Sequence, residues 1–327
     1  MATQKVLWLG VFSDNVREMM VKNCPDELEP IFVYSKKDKE EHLKALAQAD
    51  FISPNGIKLS NEYIDAAPNL KLIQLWGAGV DDYDLDHIRA KGIAMQNGVG
   101  FNAPAVAEMA ILHMLAVNRH LIYVDSSLRR EGKWIKSEMR DKCNSLYGKT
   151  VGLLGMGNIG RIMARYLHGL DVGKVLYYDV RRLTPEQEAE LDVTFMEMDD
   201  VIRYADFVSL HMPLMPATEK IIDRRRIGMM KPDAVLINTA RGGLVDEVAL
   251  YEALRDRKIR GAGLDSFSPE PPDPNNPLFQ LDNVVLTPHT GGAVVENVEP
   301  RIQHVYNCIV KYINNEPVDP KYVVIPR

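Results

Sequence analysis

The stretch TVGLLGMGNIG at 150–160 constrains the fold more than any other part of the chain. An apolar strand pattern runs into Gly155, Gly157 and Gly160, spaced G-x-G-x-x-G, and a helical pattern, RIMARYL, begins immediately after them. The first glycine permits a tight turn, the second lets backbone approach a bulky anion, and the third lets helix pack closely on strand. The helix N-terminus then offers unpaired N–H groups and a positive dipole end to a pyrophosphate. Asp179 ends the next strand pattern, KVLYYD, nineteen residues beyond Gly160, where a carboxylate can accept both ribose hydroxyls of a dinucleotide. That carboxylate repels a 2′-phosphate, so NAD is preferred over NADP, although the adjacent Arg181 and Arg182 carry guanidinium groups that suit a phosphate.

Strand and helix patterns alternate on both sides of this motif. VLWLG at 6–10, IFVY at 31–34, FIS at 51–53 and LKLIQLW at 70–76 precede it, with a helical pattern at 36–48. FVSL at 207–210, AVLIN at 234–238, GAGLD at 261–265 and VVLTP at 284–288 follow. Such alternation predicts βαβ units and parallel sheets, and the six strands from residue 150 fit a doubly wound dinucleotide fold. Residues 102–147 read as a helical bridge, with Asn102 as N-cap and Pro104 in the first turn of a long helix. A last helical pattern at 293–313 is followed by no further strand series and is expected to pack back onto the first domain. The expected class is α/β with two Rossmann-like domains. A doubly wound NAD-binding domain covers 102–292, and a smaller catalytic domain is formed by both chain ends, 1–101 and 293–327.

With 327 residues, 46% apolar and 26% charged, the chain has the composition of a soluble two-domain globular protein. A net charge of −6 repels a phosphate backbone, so no nucleic-acid partner is expected. Cys24, Cys143 and Cys308 form no Cys-x-x-Cys pair, which favours a reducing, cytoplasmic location. The N-terminus shows no export pattern, and the apolar stretch 103–117 contains Glu108 and His113 and falls short of the ~20 residues a bilayer needs. No membrane association is expected. The histidines show no metal-ligand spacing, so no metal is expected. His113 and His120 share a helical face without a carboxylate nearby and read as core or surface residues, and Arg224, Arg225 and Arg226 read as a solvated helix face.

Three polar residues follow the later strands, at the edge where open α/β sheets bind ligands. Arg241 lies in NTARGG after AVLIN, Glu270 in SFSPEP after GAGLD, and His289 in TPHTGG after VVLT. Together they supply a carboxylate clamp, a group that tunes a pKa, and an acid/base.

With these residues in place the chain resembles the D-isomer-specific 2-hydroxyacid dehydrogenases. The resemblance rests on LIQLWGAGVDDYDLDHI, NAPAVAEMAILHML, VGLLGMGNIGRIMA, SLHMPLMPATEKII, LINTARGGLVDEVALYEAL, GAGLDSFSPEP and LTPHTGG. It implies that Arg241 binds the substrate carboxylate, His289 exchanges the proton, and Glu270 pairs with His289. It further implies that backbone N–H groups at Ala78 and Gly79 hold the carboxylate and that Asn158 and Ile159 meet the pyrophosphate. Thr239, Ala240 and Asp265 would lie near the nicotinamide, with His211, Thr218, Gly291 and Gly292 lining the rest. The substrate implied is a small 2-oxo or 2-hydroxy acid, and the long helix from Asn102 resembles the element through which the family forms homodimers. Formate dehydrogenases of the family carry Gln where Glu270 stands, which argues against formate. Two other activities fit the same motifs: an NAD(H)-sensing interaction protein similar to the C-terminal-binding corepressors, and a phosphite-type dehydrogenase.

Overall fold

A computed structural model describes residues 3–327. The chain divides into two compact units, one running to Phe101 and resuming at Val294–Arg327, the other spanning Asn102–Ala293.

The first unit opens with β1 (Gln4–Leu9), α1 (Asp14–Lys22), β2 (Leu28–Phe32), α2 (Lys39–Leu46), β3 (Phe51–Pro54), α3 (Asn61–Asp65), β4 (Leu72–Gln74), α4 (Leu85–Ala90) and β5 (Ala94–Gln96). The second contains α5 (Ala103–Asn118), α6 (Leu121–Glu131), β6 (Thr150–Leu154), α7 (Asn158–His168), β7 (Lys174–Tyr178), α8 (Pro185–Leu191) and β8 (Thr194–Phe195). It continues with α9 (Met198–Tyr204), β9 (Phe207–Leu210), α10 (Arg224–Ile227), β10 (Val235–Asn238), α11 (Glu247–Arg255), β11 (Gly261–Leu264) and β12 (Val284–Leu286). The chain then returns to the first unit as α12 (Val298–Ile313) and β13 (Val323–Ile325).

Strand order in the first unit is β13-β5-β4-β3-β1-β2, parallel except for β13, which runs antiparallel to β5. Its parallel part has the flavodoxin-like order. Both faces are covered, so its strands read as apolar runs rather than as alternation. Val6, Trp8, Phe51 and Leu72 pack with Met20, Ile302, Val305 and Tyr306 on one face. Leu7, Leu9, Ile52 and Ile73 pack with Leu46, Ile64 and Ile88 on the other.

The second unit is a seven-stranded sheet ordered β12-β11-β10-β9-β6-β7-β8, with every pairing parallel. Strand order reverses between β6 and β9, and ligands bind doubly wound sheets outside the carboxyl ends at such a point. Gly155 follows β6 and His211 follows β9, so they flank it. Helix α5 is apolar on nearly all sides because it lies against the sheet and α7. The approach is close enough that a Cβ on Gly261 would meet Val117 at 2.7 Å, and one on Gly263 would meet the His113 side chain at 2.6 Å.

Four local expectations are corrected. The long helix from Asn102 is present as α5, but the bridge to 147 is helical only as far as Glu131: His120 adopts a left-handed conformation (φ 49°) that ends α5, and α6 leaves at 64° to it. Asn102 holds the N-cap position, but its side chain makes no capping bond. A strand does follow the last helix: β13, three residues long, was hidden by its shortness, as were β5 and β8. The arginine run is more than a solvated face: Arg224 pairs with Glu252, while Arg225 and Arg226 both pair with Asp199, whose pKa is held down at about 2 by those two guanidinium groups. Among the described residues no single helix is long and apolar enough to cross a membrane.

Candidate active site

The glycine loop of the second unit fits a dinucleotide at each of its three positions. Gly155 sits at φ +105°, and a Cβ there would strike His211 O at 2.5 Å, so only glycine makes this turn. A Cβ on Gly160 would meet Gly155 O at 2.2 Å, which is the close helix–strand approach. Nothing lies within 4 Å of a Cβ on Gly157, which leaves open space over the N-terminus of α7. Gly157 is the N-cap and supplies no side-chain cap, so the first-turn N–H groups at Asn158 and Ile159 remain available to an anion. Asp179, just past β7, accepts from Met156 N–H at 2.7 Å through Oδ2 and from Arg181 N–H at 2.9 Å through Oδ1. Each oxygen keeps a lone pair for a hydroxyl. Thr239 Oγ1 and His211 Nδ1 are among the buried polar atoms without a partner. His211 is bonded only through Nε2, to Ser209 Oγ at 2.9 Å, and burial pushes its pKa down to about 3, so it stays neutral. Thr218 closes its own loop, its hydroxyl accepting from Met215 N–H and donating to Pro213 O, each at 2.8 Å.

Arg241 follows β10 in extended conformation (φ −144°, ψ 136°). Buried Asn238 shapes its loop, donating to Arg241 O at 2.8 Å and accepting from Ala240 N–H at 3.1 Å, and Arg241 Nη1 donates to Ala240 O at 2.8 Å. Gly242 next to it is pressed on Phe267, where a Cβ would come within 2.0 Å of the Phe267 carbonyl carbon.

His289 has φ +54°, an uncommon conformation for a residue with a side chain. Asp265 at the end of β11 holds it there. Its Oδ1 accepts from Thr287 Oγ1 at 2.5 Å and Thr290 N–H at 2.9 Å, and its Oδ2 accepts from Gly291 N–H at 2.8 Å. The loop is thus tied on both sides of the histidine. Thr287 has one hydroxyl hydrogen, which goes to Asp265, so in its 3.0 Å contact with His113 Nε2 the imidazole is the donor. Sequence reasoning left His113 without a carboxylate nearby, whereas Asp265 reaches it through Thr287. The signal that could have revealed this is Gly263, whose missing side chain makes room for His113.

Glu270 Oε2 lies 2.7 Å from His289 Nδ1, and Oε1 accepts from Phe267 N–H at 3.0 Å. This fixes Nδ1 as the nitrogen bonded to the carboxylate and leaves Nε2 for exchange with a ligand. The bond from Glu270 raises the His289 pKa against the opposing effect of burial. Burial pushes the Glu270 carboxyl up, and the bonds from His289 and Phe267 N–H outweigh it, so its pKa is lowered overall.

Ala78 and Gly79 belong to the first unit, in the loop after β4. Asn97 Nδ2 donates to Ala78 O at 3.1 Å and Gly98 N–H to Gly77 O at 2.9 Å, so the carbonyls of the loop are anchored, and Ala78 itself is exposed.

Residues 111–291 match the model of the D-isomer specific 2-hydroxyacid dehydrogenase NAD binding domain. The chain is 40% identical over 262 residues to hydroxypyruvate reductase of Thermotoga maritima, an alignment covering 79% of this chain and 83% of that one. It is 39% identical over 274 residues to D-3-phosphoglycerate dehydrogenase of Methanocaldococcus jannaschii, covering 83% of this chain but 51% of that relative, so it spans about half of its length. The structure of NAD-dependent formate dehydrogenase from Staphylococcus aureus in complex with NAD superimposes with a TM-score of 0.85 at 25% identity, over 99% of each chain. The chain belongs to the D-isomer specific 2-hydroxyacid dehydrogenase family, a family of oxidoreductases with an NAD-binding domain.

Proposed function

We propose that this protein interconverts a small D-2-hydroxy acid and its 2-oxo acid with NAD(H), using Arg241 to bind the substrate carboxylate, His289 as acid/base and Glu270 to tune His289. The observation that carries the reading is the 2.7 Å pair of His289 and Glu270, on a loop after β12 that Asp265 ties down. NAD is the preferred cofactor, since Asp179 would meet its ribose hydroxyls and repel a 2′-phosphate. When bound, NADH supplies hydride to the carbonyl carbon of the substrate.

In the reducing direction Arg241 offers a planar fork of N–H donors to the carboxylate, worth roughly 1.5–3 kcal/mol for each charge-assisted bond. His289 gives its Nε2 proton to the oxygen as negative charge develops there, and Glu270 stabilises the imidazolium beforehand. Such proton transfer contributes about 10²–10⁴ in rate. In the oxidising direction neutral His289 takes the hydroxyl proton. Gly155, Gly157, Asn158, Ile159 and Gly160 would hold the pyrophosphate, and His211, Thr218, Thr239, Ala240, Asp265, Gly291 and Gly292 would line the remaining cofactor surface. In the first unit, Ala78 and Gly79 offer backbone N–H groups to a substrate carboxylate. The exposed apolar side chains of α5 and α6 suit a homodimer.

The test is a panel of 2-oxo acids followed by NADH absorbance. Turnover of at least one, lost in Arg241→Ala and His289→Gln, is the expected result. Failure with every 2-oxo acid sinks the reading.

A further inference from the structure

The carboxyl ends of β1, β3 and β4 form one edge of the first unit's sheet, and the order of the strands reverses between β1 and β3, as at the ligand edge of other doubly wound sheets. The loops there touch: Asn55 N–H donates to Leu9 O at 2.9 Å, and a Cβ on Gly10 would meet Asn55 O at 2.3 Å. Trp76 leads directly into Gly77, Ala78 and Gly79, and its ring packs on Trp8 and Phe12 at centroid distances of 5.8 and 5.9 Å. Over the Trp76 ring, 5.9 Å from its centroid, stands the guanidinium of Arg301, from the start of α12.

Among the described residues Arg301 pairs with no carboxylate, and its Nε is buried without an acceptor. An arginine in that condition is unusual, because a buried charge is normally paired. Burial alone lowers its pKa, with no carboxylate close enough to oppose the effect. The rest of the guanidinium has donors to offer in a fixed fork, a geometry matched to carboxylate and phosphate.

We propose that Arg301 recognises a second anionic group on the substrate, so that this enzyme takes 2-oxo acids bearing a further carboxylate or phosphate. The inference rests on the reading above, in which the loop at Ala78 and Gly79 meets the first carboxylate. Arg301 is then the residue of the first unit that sets substrate class.

Two matched substrate pairs test it in the complete enzyme with NADH: pyruvate against oxaloacetate, which adds a carboxylate, and hydroxypyruvate against its 3-phosphate, which adds a phosphate. The expected result is a kcat/KM at least about tenfold higher for the added anion in one pair, and that pair identifies which anion is read. Arg301→Gln, and Arg301→Met, which keeps an aliphatic stem on Trp76, should cut that ratio by about 10- to 100-fold, while Arg301→Lys retains part of it. The wild-type pairs decide even where a variant fails to fold. Turnover of the plain acids with no advantage in either pair, or an advantage that survives loss of the charge, overturns the inference and leaves the proposed function standing. Turnover of none of the four alongside turnover of another 2-oxo acid overturns the inference alone, and failure with every 2-oxo acid removes both.

Discussion

His289 Nδ1 and Glu270 Oε2 stand 2.7 Å apart, although the two residues arrive from different strand ends and the histidine occupies a left-handed backbone position. Two separate devices hold this arrangement. Glu270 is oriented by Phe267 N–H, and the histidine loop is oriented by Asp265, which bonds Thr287, Thr290 and Gly291. Asp265 therefore fixes position and Glu270 fixes charge, so mutations at the two should fail in different ways.

Gly157 and Gly160 separate cofactor binding from folding. A methyl at Gly157 meets nothing within 4 Å in the protein, so Gly157→Ala should leave the urea midpoint unchanged while raising KM for NAD tenfold or more, because the methyl takes the space proposed for the pyrophosphate. Gly160→Ala puts a Cβ 2.2 Å from Gly155 O and should cost about 1–3 kcal/mol of stability. A Gly157→Ala enzyme with wild-type KM for NAD contradicts the placement of the pyrophosphate.

Asp179→Ala removes the acceptor proposed for the ribose hydroxyls. KM for NAD should rise about 10- to 100-fold, the loss of one or two charge-assisted bonds, while KM for NADP changes little or falls. Equal increases for both cofactors count against Asp179 as the discriminating group.

Burial lowers the pKa of His113, His211 and His304, the second of them to about 3. For such groups the unfolded chain takes up protons first as pH falls below about 6.5. Stability then drops by up to about 1.4 kcal/mol per pH unit for each group until its folded pKa is reached. His289, with a raised pKa, acts in the opposite sense: its contribution is complete below about 6.5 and is lost as pH rises through its folded value. Three groups outweigh one, so the urea midpoint should fall between pH 7 and pH 5, and less steeply in His113→Leu. A midpoint that holds or rises over that range contradicts the neutral buried histidines.

Leu112 and Leu115 of α5 and Leu121, Ile122, Tyr123 and Leu128 of α6 are exposed, an apolar concentration that soluble surfaces rarely leave uncovered. Sedimentation at micromolar concentration should give the mass of two chains, and Ile122→Asp, at 61% exposure, should shift the protein toward one. A wild-type mass of one chain refutes the homodimer.

The sequence made the strands of the second unit and the glycine loop readable because each rests on local chemistry: apolar runs between turns, and glycines where a Cβ has no room. Arg241, Glu270 and His289 could be named as candidates since each follows a strand that could itself be read. The pairing of Glu270 with His289 came with the family resemblance, but the bonds that tie down the histidine loop were not legible. Thr287, Asp265 and His113 are remote in sequence and meet only because β11 and β12 pair in register and Gly263 admits the histidine. Arg301 carries no signal in the sequence, since its lack of a carboxylate is a property of packing. The break at His120 was missed because no glycine or proline marks it, and β5, β8 and β13 are too short to show a period.

Glu270→Gln tests the pairing with His289 most directly, because it keeps the shape of the side chain and removes the charge. The carboxylate raises the His289 pKa, so its loss should lower it. In the proposed mechanism reduction requires protonated His289, and kcat/KM for the 2-oxo acid should fall as pH rises through that pKa. In the variant this fall should come at lower pH. Oxidation by the same mechanism requires neutral His289, so kcat/KM for the hydroxy acid should rise through the same pKa, and that rise should also come at lower pH in the variant. Both limbs therefore move in the acid direction, a coincidence that a general loss of structure does not produce. His289→Gln should depress both reactions by about 10²–10⁴ and remove the limb altogether. The profiles are to be recorded as kcat/KM in each direction, since that ratio reports groups of the free enzyme. A Glu270→Gln profile that overlays the wild type, or moves to higher pH, shows that a group other than Glu270 sets the charge of His289.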